Sequence, residues 1–216
     1  FKKLADGKWT PESPTIIRTL KRVKKPIALC AKDLRNNPVR IPQIGKKCGF
    51  DFEKGDWVRP FGKGVVEDII FLLEVIKEGG GREEEYSLSI LFPNKNDGIL
   101  HFPVEVGFGS ELRLDHCAPS EGYQRKRVKK SFFDAEKGRK QMGFSKTSNY
   151  FIRTRTVEDD AGNVVKANYA KVYGDFEFWV DGKIKFLYYF NPVSNSKNLE
   201  FDPMKNLIKG EDVTSP

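Results

Sequence analysis

Apolar and polar residues alternate along much of this chain with the period of two expected of strands that bury one face. The pattern is clearest at residues 150–157 (YFIRTRTV), which lead into a turn at 158–163 (EDDAGN) and a partner strand at 164–173. Two more strands, 176–180 and 183–190, flank Asp181-Gly182, a dipeptide that reverses a hairpin because both positions tolerate positive φ. Earlier, residues 86–92 (YSLSILF) set Ser87 and Ser89 against apolar neighbours, and Asn94-Lys95-Asn96-Asp97-Gly98 is a turn. Leu112 and Leu114 flank Arg113 in a further strand, residues 15–23 read as a strand with a charged outer face, and 27–30 as a short apolar run. Residues 36–42 hold two prolines and suit an edge or a loop, since proline cannot donate to a ladder. Leu199 and Phe201 are the last apolar anchors of a turn-rich tail.

The stretch from Val65 to Glu78 satisfies two patterns at once. Ile69, Leu72, Leu73 and Ile76 fit a helical stripe, whereas Phe71, Leu73 and Val75 alternate as in a strand and a Gly79-Gly80-Gly81 run follows. Pairing with 86–92 makes a hairpin, with Glu83, Glu84 and Glu85 at its tip or at the start of its second strand, and that is the reading favoured. Two stretches lack periodicity. Residues 1–14, with Gly7, Pro11 and Pro14, read as an extended arm; residues 119–148, dense in charge and glycine, read as a long basic surface loop. The expectation is an all-β antiparallel sandwich in one domain spanning residues 1–216.

Residues 150–173 resemble the last hairpin of fibronectin type III domains. An aromatic strand (Tyr150, Phe151, Arg153, Val157) runs into an Asp160-Ala161-Gly162-Asn163-Val164 turn, with Tyr169 on the return. The resemblance covers about 25 of the 216 residues. It implies an antiparallel sandwich with extracellular relatives and says nothing of activity.

Composition adds little to the fold and more to the surface. The net charge of +8 is uneven: residues 1–60 carry 15 Lys/Arg against 6 Asp/Glu, 61–120 carry 5 against 11, and 121–150 carry 9 against 3. Basic segments 1–60 and 121–150 thus flank an acidic one. They either cancel locally by packing together or present a face to a polyanion. No run of about 18 apolar residues that could span a bilayer as a helix is present. Cys30, Cys48 and Cys117 lack any metal-ligand spacing, and Cys30–Cys48 is a plausible disulfide with three reduced thiols as the alternative. The chain opens at Phe1 without methionine, as a processed or a truncated product would; removal of a signal peptide from a secreted or cell-envelope protein, bacterial in the envelope case, is the expectation adopted.

Catalytic chemistry finds little support. No GxSxG, HExxH, P-loop or GxGxxG is present, and His101 and His116 are the only imidazoles. In Asp115-His116-Cys117 the neighbours on a strand point to opposite faces, so no Cys–His pair follows. Glu177 reads as a solvent-facing residue opposite a lysine, and Asp159, Asp160 and Asn163 as an ordinary turn without calcium-loop spacing. No metal and no cofactor is expected. The remaining signal is aromatic rings beside cations, which stack on sugars or bases and hold acidic groups. The candidate ligand-binding residues are Trp57, Tyr123, Arg125, Arg127, Lys129 and Lys130. Five cations between Arg125 and Lys130 are expected to be exposed and mutually repelling, with the Glu83–Glu85 acidic cluster as their nearest opposite charge.

The favoured function is a non-catalytic binding protein for an acidic polysaccharide or other polyanion. The alternatives are a nucleic-acid-binding protein using segments 1–60 and 121–150, and an exported carbohydrate-active enzyme on a sandwich.

Overall fold

The computed structural model describes residues 2–3, 5–6, 9–10, 25–79, 83–104 and 115–214. The strands expected at 15–23 and around Leu112–Leu114 lie outside the described residues. Fourteen strands are described: β1 (Lys2–Lys3), β2 (Trp9–Thr10), β3 (Cys30–Asp33), β4 (Val39–Arg40), β5 (Lys47–Asp51), β6 (Asp56–Trp57), β7 (Ile69–Glu78), β8 (Glu83–Leu91), β9 (Gly98–His101), β10 (Lys126–Asp134), β11 (Gly138–Met142), β12 (Tyr150–Glu158), β13 (Val164–Phe178) and β14 (Lys183–Asn191). The helical content among the described residues is one 3-10 turn at Pro203–Lys205.

Two antiparallel sheets carry the fold. The first runs β11-β10-β8-β7-β5-β6; the second runs β3-β14-β13-β12-β9, with β4 also on β14. Their inner faces share one core, because alternate residues of each strand point the same way. Phe50, Phe71, Leu73, Leu88 and Ile90 of the first sheet belong to the same cluster as Ile152, Val172, Phe186, Tyr188 and Phe190 of the second. An all-β sandwich is therefore the architecture.

The ambiguous stretch is a strand. Ile70 pairs with Leu91, Leu73 with Leu88 and Val75 with Tyr86, so the hairpin holds and the helical stripe is overruled by cross-strand pairing. Glu83, Glu84 and Glu85 open β8. The proline-rich residues supply β4, a two-residue edge pairing with Lys183 and Ile184.

Two expectations are corrected. The presumed extended arm at 1–14 includes a small ladder, with Lys2 opposite Thr10 and Lys3 opposite Trp9. The presumed long loop at 119–148 contains a β-hairpin: β10 pairs with β8 over its whole length, and β11 turns back onto β10. Of the two alternatives left open for Cys30 and Cys48, the structure has the reduced one: both are buried free thiols in the shared core.

The second sheet is covered on its outer face as well, by two satellite clusters. Leu29, Ala31, Leu187 and Tyr189 pack with Phe201 and Val213; Phe151, Ala167 and Tyr169 pack with Ala118 and Leu199. The tail after β14 thus returns over the sheet, with Leu199 and Phe201 as its anchors. Strand pairs Leu199 N–H to His116 O (2.7 Å) and Ala118 N–H to Lys197 O (2.9 Å) tie the tail to residues 116–118. A bulge in β12 sets Arg155 at φ 54°, a left-handed conformation rare for a residue with a Cβ. That turn swings its guanidinium onto Asp68 (2.8 and 2.9 Å) and Glu53 (2.8 Å), which reach it from the first-sheet side.

Candidate functional site

The hairpin β10–β11 forms one edge of the first sheet, and β11 is exposed at all five positions. Register fixes which way each β10 side chain points, because directly paired residues share a face. Arg127 opposes Ile90 and Lys129 opposes Leu88, both core residues, so these two cations point inward. Lys126 opposes Leu91, Val128 opposes Ser89, Lys130 opposes Ser87 and Phe132 opposes Glu85, which puts them on the outer face. On β11, Met142 lies beside Lys130 and Lys140 beside Phe132. The outer face of the edge therefore interleaves Lys126, Lys130 and Lys140 with Val128, Phe132 and Met142. Lys126 and Lys130 are four residues apart, about 13 Å along an antiparallel strand.

Arg125, Lys126, Arg139, Lys140 and Lys146 are exposed, and none forms an ion pair with a described residue. Lys130 meets Glu85 at 2.9 Å, the acidic cluster named from charge alone, and Lys137 meets Asp134 at 3.8 Å.

The inward cations do different work. Lys129 is wholly buried; its ammonium bonds the Asp175 carboxylate and Gly143 O (2.7 Å), and lies 4.5 Å from the Phe144 ring centre. Asp175, on β13 of the opposite sheet, also accepts from Tyr150 O–H (2.7 Å), Ser145 N–H (3.0 Å) and Phe176 N–H (2.9 Å). Burial pulls the Lys129 pKa down against the attraction of Asp175. The Tyr150 hydroxyl is pushed up, first by burial and then by Asp175. Arg127 is half-buried, with its guanidinium 5.4 Å from the Tyr150 ring centre. His101, bonded through Nε2 to Ser148 Oγ at 3.0 Å, is held below the usual imidazole range by burial and by Arg127.

The two aromatic candidates leave the surface. Trp57 is buried in β6 and packs edge-on against Phe50 (5.3 Å) and Phe71 (5.9 Å), because the ladder with Phe50 puts it in the core. Tyr123 is half-buried: its O–H donates to Pro119 O at 2.9 Å and Arg153 stacks 4.8 Å from its ring centre. Of the six residues singled out from sequence, only Arg125 and Lys130 remain on the accessible face. Lys126 was expected to be exposed but was not singled out as a ligand residue, and Arg139, Lys140 and Lys146 were missed. Their signal was the charge density of residues 121–150, which shows how many cations there are but not which face each takes.

Comparison with protein-family models, with curated proteins and with solved structures gives no match.

Proposed function

We propose that this protein is a non-catalytic binding protein whose cationic edge hairpin holds an acidic polysaccharide at the cell envelope or outside the cell. The observation that carries the reading is the set of exposed cations on and beside β10–β11 with no ion pair among the described residues, interleaved on the outer face with Val128, Phe132 and Met142. Carboxylates or sulfates on a sugar chain would meet the cations. The apolar C–H faces of the sugar rings would lie on the side chains between them. Charges along an edge strand also discourage edge-to-edge pairing of two copies, and a polyanion is the ligand such an edge admits. The resemblance of residues 150–173 to a sandwich module with extracellular relatives agrees with this reading.

The test is retention on a heparin column. Replacing Lys126, Arg139 and Lys140 together with Ser removes three exposed charges with no ion-pair partner among the described residues, so the melting temperature should move by less than about 2 °C. Elution should shift to clearly lower salt. Unchanged elution would overturn the reading, and tighter competition by single-stranded DNA than by heparin fragments would favour the nucleic-acid alternative. In either polyanion case retention should fall steeply between about 50 and 200 mM salt, because each neutralised charge releases a counterion.

A further inference from the structure

Where the edge hairpin meets the second sheet, an amine and a carboxyl group are enclosed together. Lys129 enters from β10, paired with the core residue Leu88, and Asp175 comes from β13. The β13 ladder is interrupted between Tyr173 and Glu177, with Gly174 at φ 81°. That bulge turns Asp175 toward the first sheet beside Phe176, its neighbour in the core, where a regular strand would put the two on opposite faces. The Lys129 side chain is wholly buried and that of Asp175 is 7% exposed. The ammonium bonds Asp175 Oδ1, and the Phe144 and Tyr150 ring centres stand 4.5 and 5.7 Å from it.

Two charges held out of water in this way carry a desolvation cost that their mutual attraction only partly returns. Passing one proton from the ammonium to the carboxylate removes both charges, and burial, which pulls the Lys129 pKa down, favours that exchange. The result is a neutral amine against a carboxylic acid, the two halves of an amide. The surroundings supply the donors that acyl transfer needs. Ser145 N–H points at Oδ2 (3.0 Å), the oxygen on which negative charge would build. Tyr150 O–H points at Oδ1 (2.7 Å), the oxygen that would leave. Groups fixed in reacting geometry behave as though present at concentrations on the order of 10⁵–10⁸ M.

We infer that Lys129 and Asp175 condense to an amide that joins the two sheets covalently. The Lys129 Nζ lone pair attacks Asp175 Cγ, forming the N–C bond while the carbonyl π pair moves onto Oδ2. The surplus proton on nitrogen passes to Oδ1 by way of the Tyr150 hydroxyl, which gives up its own proton and takes that one. The pair on Oδ2 then re-forms the double bond and Oδ1 leaves as water. One ammonium and one carboxylate have become one amide and one water, with no oxidant, reductant or outside reagent. The product keeps an N–H for Gly143 O, already 2.7 Å from the nitrogen, and a carbonyl Oδ2 for Ser145 N–H. The two buried charges are then gone.

The intact mass of the whole chain, taken in denaturant, reads the result. The native chain should weigh one water less than its sequence, and peptide mapping should recover the Lys129 and Asp175 peptides as one branched species. Lys129→Arg keeps a cation for Asp175 but has no amine to condense, so it should return the full sequence mass. Asp175→Asn should lose ammonia in place of water if it links. Tyr150→Phe keeps the ring packed on Phe176 and removes the hydroxyl. In chains sampled over time from cell-free translation it should link about tenfold more slowly or worse. Three results would each overturn the inference: a native chain at full sequence mass, a water loss that maps to an Asp-Gly pair with Lys129 unmodified, or a Tyr150→Phe chain that links at the native rate.

Discussion

Replacing Lys171 with Met should make this protein more stable at neutral pH, although it deletes a charge and leaves every strand intact. In the unfolded chain Lys171 holds its proton up to its ordinary pKa of 10.5, whereas in the folded chain the value is about 7. A depressed lysine pKa means that the unfolded state binds a proton the native state refuses. Stability therefore falls as pH drops from 10.5 toward 7 and levels off below 7, where both states are protonated. Each pH step in that window is worth about 1.4 kcal/mol, so the linkage cost is about 4 kcal/mol at pH 7 and about 2 kcal/mol at pH 9. Lys171 is wholly buried on the outer face of the second sheet, between Phe151 and Tyr189, and Met has similar length, carries no proton and suits those walls. Urea unfolding at the two pH values reads the difference directly. Lys171→Met should gain about 4 kcal/mol at pH 7, a rise in melting temperature of about 10 °C for a chain of this size. The gain should halve at pH 9. A variant no more stable than the native chain at pH 7, or a gap that does not narrow with pH, would refute the reasoning.

Breaking the buried pair between Lys129 and Asp175 should do the opposite. Among the described residues, Asp175→Ala leaves the wholly buried ammonium with Gly143 O and the Phe144 and Tyr150 rings beside it, and urea unfolding should show a loss of about 3–5 kcal/mol. Near-native stability in that variant would mean that the pair does not hold the hairpin to the second sheet. The thiols should separate by accessibility: burial pushes Cys30 up to about 12 and raises Cys48, while Cys117 is exposed. Native protein at pH 8 should therefore release one equivalent in an Ellman titration and three in denaturant, and dithiothreitol should leave the melting temperature unchanged.

Much of the second sheet was legible because its strands alternate and its turns carry diagnostic residues. Gly182 sits at φ 86° and Gly162 at φ 82°, in the left-handed region where glycine costs least, so the Asp-Gly and Gly-Asn signals gave the hairpins β12–β13 and β13–β14. The hairpin β7–β8 was legible for a related reason: Ser87 and Ser89 alternate with Leu88 and Ile90, which a helix would scatter around its circumference. Hairpin β10–β11 was hidden because both its faces mix charged and apolar residues. Lys126 and Lys130 point to water, while Arg127, Lys129 and Ser131 point inward, so no period of two survives in the hydropathy. What neutralises the inward charge is Asp175, 46 residues along the chain and on the other sheet. Trp57 and Lys171 were misjudged or passed over for the same kind of cause. A single strand shows which residues share a face, and the sequence determined that much. Which face is then covered depends on segments far along the chain, here the return of residues 199–201 over β13, and only the tertiary structure decides that.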